Sequence, residues 1–599
     1  MTGKLAFDIR SLHDFYQDGG TPAGMIETLF ARLDVVNDPG IFIHLAKKQD
    51  LLDEAAALGT FDPAKPLWGI PFAVKDNIDV AGMPTTAACP DYAYRPEADA
   101  TVVRLLKAAG GIVIGKTNLD QFATGLVGVR SPYPIPRNAI DAKLVPGGSS
   151  SGSAVATAHG LVSFALGTDT AGSGRIPAGL NNIVGLKPSV GALSTTGVIS
   201  ACRTLDCVSI FALTVEDAWT AFKVAAQPDA SDPYSRQVPA SGYGTTPSVL
   251  TIGVPAKADR QFFGDTAMEA AYEAALAQLG TLGHHLVEVP FGDFYKVANL
   301  LYEGAWVAER YAAVQDFFDR SEASFHPVTR KIYGGAKSLS AADAFKGLYA
   351  LQALKRQVAP LITSVDLFCV PTAPRHFTRD ELEKEPIREN SRLGTYTNFV
   401  NLLDLCGIAV PTGTRADGLP ASVTLLAPFG QDGLAASLAR DIHQASGLSL
   451  GATGWSQPIV SAPSAPVEDD LIDLVVVGAH LSGMPLNGQL RDLNGVFARA
   501  THTAATYRLY ALAGQTLPKP GLIRVEEGAG REIEVEVWRL TPAAFGSFVA
   551  AIPAPLGIGT ILLSDGTSAK GFLAEPAALK GAEDITQFGS WRAYMAQAS

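Results

Sequence analysis

The chain has few cysteines, no long apolar run and no basic block, and each absence removes a class of function. Its 599 residues hold five cysteines, Cys89, Cys202, Cys207, Cys369 and Cys406, with no C-x-x-C spacing. An odd, scattered set of this kind argues against a disulfide framework and points to free buried thiols in a reducing cytoplasm. No stretch reaches the 18 or so apolar residues that a membrane helix needs, so no membrane association is expected. The opening MTGKLAFDIRSLHDFY lacks a basic start followed by an apolar run, so no signal peptide is expected. Net charge is −12 without a cluster of Lys or Arg, which argues against nucleic acid as a partner. It leaves an anionic small molecule open, because one local cation can override the average charge.

What the chain has is apolar content, 47%, and a length that makes two domains the prior, one of them large. Leu12 to Leu52 reads as helices punctuated by Pro22 and Pro39–Gly40. Beyond it, short apolar runs alternate with helical periods. FAVKD and GGIVIGKT read as strands, with a helix over Ala100–Ala109 between them. Leu250–Pro255, the helix Asp265–Leu279 and DLFCVPTAP (Asp366–Pro374) continue that alternation. The pattern predicts an α/β fold with a layered sheet. Ser456–Asp470 is rich in Pro, Ser and Ala and ends in acids, which predicts a linker between a domain over 1–455 and a smaller α+β domain over 471–599. In the smaller one, LIDLVVVGAH reads as a strand leading into a glycine turn. REIEVEVWRL and GTILLSDGTSAKGFL add strands, with a turn at Asp565–Gly566.

The densest chemical signal is PGGSSSGSAVATAHGLVSFALGTDTAGSGRIP, Pro146 to Pro177. Two Gly/Ser clusters flank a small-residue run. Ser149 follows Gly147–Gly148, and Ser173 sits between Gly172 and Gly174. Upstream, Lys75 follows the apolar run Pro71–Val74, which reads as the end of a buried strand. A serine nucleophile needs a base, a relay and backbone N–H groups to hold an oxyanion. A desolvated lysine loses its proton readily and can be that base.

Three other readings compete. Gly148–Gly152 satisfies the G-x-S-x-G nucleophile elbow with Ser150 at its centre, but none of His284, His285, His326, His376 and His443 sits in an obvious site motif. A phosphate-binding loop would need a Lys directly after the glycines, and there is none. A flexible linker would be polar on both sides, whereas this segment runs into AVATAHGLVSFALG, which should be buried.

The chain resembles the amidase signature family of serine hydrolases. K-D-N at Lys75, GGSS at Ser149 and GTD-x-A-G-S at Ser173 occur in the family's order, with R-x-P at Arg175 and Pro177 and GLKPS at Gly185–Ser189. The resemblance implies a mixed central sheet covered by helices and a Ser–cis-Ser–Lys triad of Ser173, Ser149 and Lys75. It further implies an oxyanion hole from the N–H groups of Thr170, Ala171, Gly172 and Ser173, with no metal and no organic cofactor. VVVGAHLSGMPLNG resembles the opening of γ-glutamylcyclotransferase-like domains. FVAAIPAPLG (Phe548–Gly557), where that family's catalytic glutamate is expected, holds no acid. His480, on the turn after the first strand, is then the polar residue best placed for chemistry there, against the plain alternative of a structural histidine bonded to the turn.

An amidase core joined to such a domain resembles the allophanate hydrolases. Asn299–Val314 supports this, because Tyr302, Trp306 and Arg310 recur at every fourth residue and so would share one helix side. A phenol and a planar guanidinium suit the carboxylate of a small anionic ureide. Gly125 is expected on a loop lining the same pocket. The resemblance implies hydrolysis of allophanate to ammonia and carbon dioxide through a serine acyl-enzyme and N-carboxycarbamate, in urea degradation. It also implies a homodimer and a possible association with urea carboxylase. The alternatives are an amidase of other specificity or one component of an amidotransferase. The second domain would either decarboxylate the product or serve assembly only.

Overall fold

The computed structural model describes residues 5–238, 242–302, 304–458, 471–513 and 518–598. Contacts divide the chain into two units. The first holds Met1–Val238, Gly253–Leu279 and Leu286–Ile459, and the second holds Pro239–Ile252, Gly280–His285 and Val460–Ser599. Most of the linker expected at Ser456–Asp470 lies outside the described residues.

An eleven-stranded sheet organises the larger unit. Its strands are β1 (Phe42–Leu45), β2 (Pro71–Lys75), β3 (Ile112–Thr117), β4 (Phe164–Asp169), β5 (Val184–Lys187), β6 (Cys207–Ala212), β7 (Thr251–Pro255), β8 (His285–Val289), β9 (Leu367–Pro371), β10 (Leu405–Thr414) and β11 (Pro420–Pro428). Their order across the sheet is β1-β3-β2-β4-β6-β5-β10-β11-β9-β7-β8. β2 runs parallel to both β3 and β4, whereas β4–β6, β5–β6 and β10–β11 are antiparallel. The sheet is therefore mixed. β2, β3 and β4 are buried along their whole length, as continuous apolar runs at a sheet centre should be. Phe72 and Phe164 stack across neighbouring strands at 5.1 Å.

The small-residue run forms the helix Ser151–Ala158, every residue of it buried. A helix without large side chains lets the backbone of one layer approach the next closely, and an all-round small and apolar surface belongs inside. A Cβ at Gly152 would run into the Ile41 carbonyl and the Asn118 amide. The segment is thus interior structure, not a linker.

Two readings of the sequence need correction. Leu12–Leu52 is not all helix: after Ile9–Gln17 and Pro22–Val36 the chain forms β1, and only then the helix Lys48–Ala57. β1 is four residues long and exists because β3 offers it an antiparallel edge, a long-range pairing with no local signature. Asn299–Val314 is not one helix either. One helix ends at Leu300 and the next spans Ala305–Ser321, with Gly304 at φ 72 before it. That left-handed conformation breaks the helical path, so Tyr302 precedes the helix that carries Trp306 and Arg310.

The smaller unit is α+β. β12 (Ile472–Val476), β13 (Val496–His502), β16 (Glu534–Leu540), β17 (Leu556–Leu562) and β18 (Ser568–Ala574) form one sheet, in the order β13-β16-β12-β18-β17. β14 (Tyr507–Ala511), β15 (Pro520–Arg524) and β19 (Glu583–Asp584) form a three-stranded sheet. β17 and β18 are the hairpin expected around Asp565–Gly566, with Gly566 at φ 82. Glu536 on β16 is fully buried. Its carboxylate accepts the N–H and hydroxyl of Ser482 and the indole N–H of Trp538, and it pairs with Arg592 at 2.6 Å. Arg592 also donates to the Ser482 carbonyl and pairs with Glu534, so it ties the helix Trp591–Ala598 to β16 and to the turn after β12. Arg592→Ala leaves a buried carboxylate without its cation. We expect a loss of about 3 kcal/mol from this unit, read as a lower urea midpoint in the fluorescence of Trp538 and Trp591.

Candidate active site

Lys75 is the last residue of β2 and is wholly buried. Its Nζ lies 2.7 Å from Ser149 Oγ and donates to Thr168 Oγ1 at 2.6 Å. Burial pushes the ammonium down from its ordinary value, and the charges of Asp120, Asp206 and Asp169 pull it only part of the way back, so it titrates at about 7. The Gly148–Ser149 peptide is cis, the geometry that the resemblance implies for it. A Cβ on Gly148 would collide with the Asp120 carboxylate and the Gly128 amide. The Ser149 carbonyl accepts the Asp120 N–H at 2.9 Å.

Ser173 follows β4 on a turn that a buried ion pair holds. Asp169 accepts from Gly174 N at 3.0 Å and from Nε and one Nη of Arg175, each at 2.9 Å. Burial pushes the Asp169 carboxyl up, but Arg175, Lys187 and the Gly174 N–H together outweigh it and leave it below its ordinary value. Asn401 donates to the carbonyls of Asp169 and Leu205, both at 2.8 Å. The Thr170 hydroxyl donates to Asp206, which also takes the N–H groups of Ala201 and Cys202. Gly172 adopts φ 140, and a Cβ there would strike Thr397. Among the described residues, no protein acceptor takes the N–H of Thr170, Ala171, Gly172 or Ser173. Four donors held beside a serine hydroxyl in a buried turn can receive a developing oxyanion. The Ser173 hydroxyl itself donates to the Gly125 carbonyl at 3.3 Å.

Tyr302 and Arg310 meet although they occupy different elements: the guanidinium lies 5.8 Å from the phenol ring centre. Arg310 is 5% exposed and donates to the Leu301 carbonyl at 3.0 Å, while its Nε has no partner among the described residues. Tyr302 lines a cavity of about 310 Å³ together with Arg130 and Asn390. Ser150, the centre of the elbow reading, spends its hydroxyl on the backbone of Thr168, donating to the carbonyl and accepting the N–H. His376 bonds the Pro420 carbonyl, and His326 accepts the Val328 N–H at a helix start, so neither serves Ser150.

In the second unit His480 lines a cavity of about 390 Å³ with Phe548, Phe572, Gln489 and Lys519. Its ring stacks on Phe572 at 5.2 Å, and Nε2 bonds Gln489 Oε1 at 3.0 Å. Burial pushes the imidazole below its ordinary value. The sequence pointed to neither Arg130 nor Asn390, nor to Asp206 and Asn401. They sit in loops and helix ends with no motif, and only the fold brings them to the site.

A buried lysine in contact with Ser149, and a turn at Ser173 whose backbone N–H groups are unclaimed among the described residues, are thus carried by one mixed sheet. The chain belongs to the amidase family, whose model (Amidase) matches residues 25–435. The model described as allophanate hydrolase C-terminal domain matches residues 472–596. The chain is 43% identical over 610 residues to the urea amidolyase of Saccharomyces cerevisiae, covering 99% of this chain and 33% of that protein. It thus spans about a third of the length of the curated urea amidolyases it matches. The solved allophanate hydrolase of Kluyveromyces lactis is 42% identical, with a TM-score of 0.79 and full coverage of both chains. One component of the glutamyl-tRNA(Gln) amidotransferase of Symbiobacterium thermophilum is 36% identical over 64% of this chain and 84% of its own.

The lowered affinity of Lys75 for its proton has a consequence for stability. Between about 7 and the unfolded value of 10.5 the unfolded chain holds a proton there that the folded chain does not. Stability therefore rises with pH across this window, by up to about 1.4 kcal/mol per unit. Urea unfolding at pH 7, 8 and 9 should show this added slope in the wild type relative to Lys75→Met, in which the titrating group is gone.

Proposed function

We propose that the chain hydrolyses allophanate, with Ser173 as nucleophile, Ser149 as relay and Lys75 as base. The observation that carries this reading is the 2.7 Å contact between Ser149 and a buried lysine poised to be neutral near pH 7. Ser173 Oγ attacks the terminal ureide carbonyl. Its proton passes to Ser149, whose own proton goes to the lone pair of Lys75 Nζ. The oxyanion rests on the N–H groups of residues 170–173. As the C–N bond breaks, the proton returns along the same path to the leaving nitrogen, and ammonia departs. Water then attacks the acyl-enzyme, which releases N-carboxycarbamate and restores the serine. Tyr302 and Arg310 hold the substrate carboxylate, and the Gly125 carbonyl lies beside the reacting hydroxyl.

The likeness to the allophanate hydrolase of K. lactis over the whole chain supports this substrate. The amidotransferase relatives leave the second unit unaccounted for, which disfavours that alternative. The same reading takes the protein as a cytoplasmic homodimer, and the likeness to the urea amidolyases supports its working beside a urea carboxylase activity.

Ser173→Ala should abolish ammonia release from allophanate, Lys75→Ala should come close, and Ser149→Ala should retain more, since a water can stand in for a hydroxyl. Log kcat/KM for the wild type should rise with pH and level off above about 7, as Lys75 becomes able to accept a proton. Full turnover in Ser173→Ala would end this reading.

We assign the second unit to the fate of N-carboxycarbamate, with His480 as the group facing it in the 390 Å³ cavity. His480→Ala should slow carbon dioxide release and leave ammonia release unchanged. Parallel assays of both products decide it, and an unchanged ratio would leave this unit a role in assembly.

A further inference from the structure

Two side chains in the wall of the 310 Å³ cavity take no part in the proposed proton transfers, although Asn390 also bonds the Tyr302 phenol. Arg130 is 2% exposed, and its two Nη atoms donate to the Thr124 carbonyl at 3.0 Å and the Pro386 carbonyl at 2.8 Å. Asn390, 3% exposed, accepts the Leu126 N–H through Oδ1 at 2.8 Å. The peptide groups on either side of Gly125 are thus each held by a cavity-lining side chain. Asp120 fixes the next stretch, accepting the N–H groups of Val127, Gly128 and Arg130. Between these anchors the Gly125 carbonyl receives the Ser173 hydroxyl. A hydroxyl rotor takes the direction of the acceptor offered to it.

We infer that Arg130 and Asn390 are positioning residues, which set the direction of the Ser173 hydroxyl through residues 124–126 and do so from the wall of the cavity that Tyr302 lines. This rests on the reading of Ser173 as nucleophile. The physical requirement at 390 is an acceptor for Leu126 N–H. At 130 it is a planar fork whose two Nη atoms reach carbonyls of two separate segments in one fixed geometry, which a compact ammonium on a flexible stem does not reproduce. A carboxylate at 390 keeps the acceptor and adds a negative charge beside Tyr302, which holds the substrate carboxylate in the proposed reaction.

The variants Asn390→Leu, Asn390→Asp and Arg130→Lys separate these roles. With allophanate, Asn390→Leu should lower kcat at least tenfold, with a rise in KM besides from the lost bond to Tyr302. Asn390→Asp should keep kcat within threefold and raise KM at least tenfold. Arg130→Lys should lower kcat about fivefold with little change in KM. Wild-type kcat in Asn390→Leu, or equal kcat losses in the Leu and Asp variants, would overturn the inference. If Asn390→Leu does not fold, an unchanged kcat in Arg130→Lys overturns it. Should the wild type release no ammonia from allophanate, the substrate reading fails on its own. The positioning is then read from the labelling rate of Ser173 by a neutral sulfonyl fluoride, slower for Asn390→Leu and unchanged for Asn390→Asp.

Discussion

The structure depends on keeping one amine out of water. Lys75 ends a strand flanked on both sides by parallel neighbours, and no solvent reaches its Nζ. Three carboxylates lie close enough to act on it, and none forms an ion pair with it among the described residues. Had one done so, the lysine would stay charged and have no lone pair for a proton. Each of the three is engaged elsewhere. Asp169 is held by Arg175, Asp120 by backbone N–H groups, and Asp206 by Thr170 and two peptides. The neighbouring lysine makes the contrast plain. Lys116, on the strand beside it, pairs with Asp76 at 3.0 Å, both fully buried. Burial lowers the hold of both lysines on their protons, but only Lys116 has a carboxylate in contact that pulls it back up.

The turn after β4 follows the same logic. Its donors remain unclaimed because Asp169, Asn401 and Asp206 hold the surrounding groups in place. Rigidity here replaces reorganisation at the moment of reaction, which is what makes fixed dipoles effective in a dry site. The fully buried small-residue helix Ser151–Ala158 follows Ser149 directly and packs on β4, so the serine that contacts Lys75 and the turn that carries Ser173 share one rigid support.

Much of this was legible in the chain. Lys75, Ser149 and Ser173 lie in short motifs because each must adopt one backbone geometry, which restricts its neighbours to small residues. β2 and β3 were readable as short apolar runs, and the β17–β18 hairpin as alternation around Asp565–Gly566. β1 was not readable, because four residues became a strand only through an edge supplied from residue 112 onward. Tyr302 and Arg310 were grouped for an incomplete reason. Their spacing suggested one helix, whereas Gly304 separates them and tertiary packing brings them back together. Arg130 and Asn390 act on backbone carbonyls and amides from afar, and such contacts leave no pattern in composition or period.

The polar groups gathered around Lys75 and Ser173 come mainly from residues 75–206, whereas most of the cavity wall comes from residues 302–391. The first stretch tolerates almost no added atom, since a Cβ at Gly148, Gly152 or Gly172 meets its neighbours at once. The second runs through several helices, among them Ala305–Ser321, Pro327–Gly335 and Ala341–Thr363, with Gly304 in the left-handed region ahead of them and Ile387 exposed on its surface. A protein organised in this way can exchange what it recognises by rewriting one stretch of chain without disturbing the machinery held in the other.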